Sequence, residues 1–206
     1  MALSKQLFTK KAVTFFICIL LVAPVLFFSA CGDDEDTIAP KPRAYFRIDL
    51  PEKKYVLYDS TCPFTFEIPA YSYIEVDKNP RAEPCWLNLQ FPKLQGTVHI
   101  SYKPVNNNIK GYLEDTYTLA SKHQIKASGI EEQVVSKKAD NVYGIVYQIK
   151  GNAASSIQFF LTDSVHHFLR GALYFNVAPN TDSIAPVVEF VDKDIQHLIS
   201  TFKWKK

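Results

Sequence analysis

The sequence predicts an α+β fold, a single domain in which an antiparallel β-sheet is flanked by helices, carried behind an N-terminal leader. Three observations predict it. Aromatic residues make up 14% of the 206-residue chain, with 15 Phe and 11 Tyr against 7 Gly, and flat rings pack well on a pleated, half-buried surface. Short segments alternate apolar and polar residues, the period of a strand with one face in the core. Two longer segments recur at three and four, the period of an amphipathic helix, and the order along the chain is strands, helix, strands, helix.

The leader comes first. Lys5, Lys10 and Lys11 form a positive segment, Ala12 to Phe28 is an apolar run of 17 residues broken by Pro24, and Phe28-Ser29-Ala30-Cys31 follows. Small residues before a cleavage point fit an export signal over residues 1–30. A Cys directly after them resembles the bacterial lipobox, with Phe28 standing where an aliphatic residue is usual; Cys31 is then the lipidated residue. The alternative is a retained membrane anchor with an incidental Cys, but spanning a bilayer takes about 20 apolar residues. Three of the 23 basic residues and none of the 21 acidic ones lie in the leader, which leaves 20 against 21 and a net charge of −1. A nucleic-acid partner is not expected, because a phosphate-binding surface needs a clear basic excess.

Residues 31–43 read as a tether. Asp33-Asp34-Glu35-Asp36 is a solvated acidic run resembling the surface-export signals of Bacteroidetes lipoproteins, and Pro40 and Pro42 stiffen the spacer. The domain is placed at 44–206. Its first strip, Arg43-Ala44-Tyr45-Phe46-Arg47-Ile48-Asp49-Leu50-Pro51, is too apolar for a free linker. Either it lies along the domain, or Arg43, Tyr45, Phe46 and Arg47 dock a partner, since Tyr and Arg are common interface anchors.

Strands follow at Phe64–Ile68, Tyr71–Val76, Trp86–Phe91 and Gly96–Tyr102. The first helix has Tyr112, Leu113, Thr116, Leu119, Ala120 and His123 on one face, Asn107 or Asn108 as its cap and Gly129 as its stop. Tyr143–Lys150, Ile157–Thr162 and Phe168–Val177 are apolar on both faces, as strands in the middle of a covered sheet are; Asp163-Ser164 begins the turn between the last two. A second helix runs from about Ile184 to Thr201, capped by Ser183 with Pro186 in its first turn. Its buried stripe is Val187, Val191, Ile195, Leu198 and Phe202.

These residues carry a resemblance. The stretch from Pro40 to Glu52, Tyr55, Cys62-Pro63-Phe64, Cys85-Trp86-Leu87-Asn88, the run from His166 to Phe175, and Phe202-Lys203-Trp204 resemble the gliding-motility lipoprotein family GldD in order across nearly the whole mature chain, with Ala44 where Gly is expected. The resemblance implies a Bacteroidetes cell-envelope lipoprotein, acylated (palmitate), required for gliding and linked to the type IX secretion system. Other proteins of that apparatus are the implied partners, with the membrane reached through the lipid. The element order also resembles the PsbP/Mog1-like α/β/α sandwich.

Cys62 and Cys85 are the mature domain's cysteines besides Cys31. Outside the cytoplasm a disulfide is the first reading, with two buried free thiols or a metal site as alternatives. His166 and His167 are adjacent on a strand and diverge to opposite faces, so no metal site is expected; His99, His123 and His197 are isolated. No G-x-S-x-G, P-loop or H-E-x-x-H motif occurs, and Asp192 and Asp194 read as a solvated helix face. No catalytic residue or cofactor is therefore expected. The leading expectation is a non-enzymatic subunit working by protein–protein contact; the rival is an envelope module binding a small molecule or lipid in an aromatic pocket.

Overall fold

Apolar side chains at every second position make the sheet, and a computed structural model describes residues 48–177 and 181–205 of it. The expected leader, Cys31, the tether, and Arg43, Tyr45, Phe46 and Arg47 lie outside the described residues. Among the described residues the elements are β1 (Tyr55–Asp59), β2 (Phe64–Pro69), β3 (Tyr73–Val76), β4 (Leu87–Phe91), β5 (Gly96–Pro104), α1 (Ile109–Ser121), β6 (Ala127–Lys137), β7 (Val142–Gly151), β8 (Ser155–Thr162), β9 (His167–Phe175), α2 (Thr181–Thr201) and β10 (Lys203–Trp204). Seven strands form one antiparallel sheet in the order β3-β4-β5-β9-β8-β7-β6, and β1-β2-β10 form a small second sheet. The fold is α+β, as the sequence predicts.

One side of the large sheet carries the main core. Leu87, Leu89, Val98, Ile100, Phe159, Leu161, Leu169 and Leu173 pack with Val191, Ile195, Leu198 and Ile199 of α2 and with Phe64, Phe66 and Ile68 of β2. Phe202 closes it, its ring centroid 5.8 Å from that of Phe64 and 6.2 Å from that of Phe66. Gly171 in β9 lets Phe159 lie against the strand, because a Cβ there would meet the ring at 2.2 Å. The other side is smaller. Tyr147, Ile149, Phe160 and Phe168 pack with Ala120 of α1, with Ile109 and Tyr112 alongside.

Several local expectations are corrected. α1 begins at Ile109, and Asn108 stands at its cap without a side-chain cap bond; its Oδ1 instead accepts the backbone N–H of Asn106 at 2.8 Å. The helix ends at Ser121 and continues as a 3₁₀ turn, Lys122–Ile125. Gly129 is therefore no helix stop but sits at a register shift in β6. Leu113 and Leu119, expected on the buried face of α1, are exposed. α2 starts at Thr181, three residues before the expected Ile184, which puts Pro186 inside the helix, where it removes one backbone bond. β3 begins at Tyr73, not Tyr71. β1, β6 and β10 were not foreseen.

Candidate functional site

Two polar clusters sit on opposite sides of the large sheet. On the α2 side the centre is Asp194, 1% exposed. Its Oδ1 accepts from Lys53 Nζ at 2.5 Å and from the Tyr55 hydroxyl at 2.9 Å, and its Oδ2 accepts from the Tyr71 hydroxyl. Lys53 Nζ also donates to the Phe190 carbonyl at 2.9 Å and lies 3.7 Å from the Phe190 ring centroid, a cation–π arrangement. Burial first, then the bond to Asp194, pushes the Tyr55 hydroxyl up to about 12 and the Tyr71 hydroxyl further still. Both phenols stay protonated donors, so the carboxylate is met by three hydrogen-bonded groups. Next to it, the His197 ring stacks on Tyr55 at 3.6 Å and its Nε2 is 2.6 Å from Glu67 Oε2. The arrangement fastens Lys53 and β1 to α2.

This overturns the reading of Asp192 and Asp194 as a solvated face. Asp194 falls three residues after Val191 and four before Leu198, on the buried stripe itself. The period of the apolar residues was the signal, and the charge of the side chain masked it. Asp192 is half-buried; it accepts from Gln148 at 3.4 Å and Gln196 at 3.3 Å, and burial raises its pKa.

On the α1 side, Arg170 of β9 donates through Nη2 to Oε1 of Gln158 in β8 at 2.6 Å. Gln158 is fully buried. Burial pushes the Arg170 guanidinium down from its ordinary pKa; burial, and then the charge of Arg170, pushes His123 down as well.

The remaining sequence candidates take their places around these clusters. Cys62 and Cys85 form a disulfide with a Cα–Cα distance of 5.7 Å and a sequence separation of 23. Cys62 precedes β2 and Cys85 precedes β4, so the bond ties the small sheet to the large one. His167 Nδ1 is 2.9 Å from the Tyr102 hydroxyl, and its ring stacks on Trp204 at 4.9 Å, while His166 is exposed. In the turn between β8 and β9, Asp163 Oδ1 accepts the backbone N–H groups of Val165, His166 and His167 at 2.8–3.0 Å. Burial raises its pKa, but these bonds outweigh it and hold the carboxyl below its ordinary value. Ile48 and Leu50, the described end of the N-terminal strip, are exposed. Among the described residues no group of three or more His, Cys, Asp or Glu is placed to hold a metal ion, and no helix is long and apolar enough to cross a membrane.

The architecture is that of an α+β domain built on a large antiparallel sheet with a helix on each side. A similar solved structure is cyanobacterial PsbP (CyanoP) from Synechocystis sp. PCC 6803, with 10% identity, a TM-score of 0.45, and 77% of this chain and 97% of that chain covered. No curated protein matches the chain. The family model for gliding motility lipoprotein GldD matches residues 35–204, and the chain belongs to that family. It is a membrane-anchored envelope lipoprotein associated with gliding motility.

Proposed function

We propose that this chain is a non-enzymatic subunit of the gliding apparatus, linked to type IX protein secretion and working by protein–protein contact. In this reading Cys31 carries the lipid, and residues 31–43 set the reach of the domain. The observation that supports contact is the exposure of Ile48 and Leu50, at 37% and 40%. They end the strip that begins at Arg43. Apolar side chains exposed at the described end of this strip support a contact surface there. The family's link to gliding, shown over residues 35–204, supplies the setting.

The test is affinity purification of the lipidated protein from membranes, comparing the native chain with an Arg47→Glu, Leu50→Ser variant. The native chain is expected to bring down proteins of the gliding and secretion machinery. The variant, folded and still lipidated, is expected to lose them and to impair spreading of the cells. Unchanged co-purification together with normal motility would reject the strip as an interface.

A further inference from the structure

On the α1 side of the large sheet a cation stands without a counter-charge. Arg170 lies on β9, the central strand, with Ser101 of β5 and Phe160 of β8 as its direct cross-strand neighbours. Gln158 is diagonal to it on β8, fully buried, and accepts from Arg170 Nη2 at 2.6 Å. Gln158 spends its oxygen on that bond. Two further donors, Nε of Arg170 and Nε2 of Gln158, are buried and have no hydrogen-bond partner among the described residues. Among the described residues no carboxylate pairs with Arg170.

Such an arrangement is costly by itself. Arg170 is only partly buried, but its Nε and the Gln158 amide are enclosed, and buried N–H groups are ordinarily bonded. Here two neighbouring side chains both lack an acceptor for a buried N–H, and one of them is a cation. Asp194, the enclosed charge on the other side, is by contrast met by Lys53 and two phenols. A guanidinium fork beside an amide N–H matches the oxygens of a carboxylate or a phosphate. His123, near enough for the charge of Arg170 to depress it, adds no acid to the surroundings.

We propose that Arg170 and Gln158 form a receptor for a single oxyanion group, the carboxylate or phosphate of a small ligand, on the α1 side of the sheet. The proposal uses no residue of the N-terminal strip and stands or falls independently of the contact reading.

The test uses the full lipidated protein in detergent, titrated with acetate in one arm and inorganic phosphate in the other, with chloride matching the ionic strength. The readout is the ¹⁵Nε–¹H resonance of Arg170, identified by its loss in Arg170→Lys and told apart from those of Arg43, Arg47 and Arg81. A saturable shift of Arg170 alone is expected in at least one arm, and the arm that responds distinguishes planar from tetrahedral ligands. Gln158→Glu places a carboxylate inside the receptor; it is expected to weaken the response about tenfold or more, as the loss of a charge-assisted bond does. Should that variant not fold, Arg170→Lys, which keeps the charge and loses the fork, is expected to weaken the melting-temperature increase given by the responding anion. Absence of a saturable shift in both arms, or an undiminished response in a folded Gln158→Glu, overturns the proposal.

Discussion

The two sides of the seven-stranded sheet share their strands and differ in nearly everything else. Toward α2 the side chains are large, apolar and closed over by a helix and a second sheet, and the buried carboxylate of Asp194 has three donors. Toward α1 the cover is a single helix, Leu113, Leu119 and Tyr117 on that helix and Val134 on β6 are exposed, and two buried N–H groups lack partners. The difference teaches where this protein keeps its stability and where it leaves chemistry unfinished. Packing is complete on the first side, although Trp204 Nε1, against that core, is also buried without a partner among the described residues. The other side tolerates open ends, and open ends are what a ligand or partner can use.

Three substitutions break or sharpen that contrast. Phe66→Ala, on the α2 side, is expected to cost about 4 kcal/mol in denaturant unfolding with the disulfide intact, because it removes a ring with no exposure from a crowded core. Asp194→Asn leaves Lys53 beside a neutral amide and gives at least one phenol a poorer acceptor; a loss of about 3 kcal/mol is expected by the same measurement. Leu113→Ser, on the exposed part of α1, is expected to change stability by no more than about 0.5 kcal/mol. A cost there as large as that of Phe66→Ala would mean the α1 side is packed as tightly as the other, and the contrast would dissolve.

The central strands were legible because burial on both faces leaves little choice of residue: β7, β8 and β9 read as nearly continuous apolar runs. The edge strands were not. β6 spans Ala-Ser-Gly-Ile-Glu-Glu-Gln-Val-Val-Ser-Lys, with no face apolar enough to show a period. Val56 and Leu57 of β1 are both exposed, so alternation was lost there too. The start of α1 at Asn108 was legible, but an asparagine before a helix can bond forward as a cap or back into its own loop, and Asn108 does the second. The candidate sites were partly legible. The two cysteines that compartment and count single out are the two that are bonded. Asp194 and Arg170 were missed because a charged side chain in a sequence reads as surface, and only the fold reveals which charges are enclosed.

The lysine at residue 53 has a mechanical meaning. Lys53 stands just ahead of β1. There it forms a salt bridge to α2, and at the far end of β1 a second one joins Asp59 to Lys205 at 2.5 Å. β1 is thus tied at both ends to the C-terminal helix and tail.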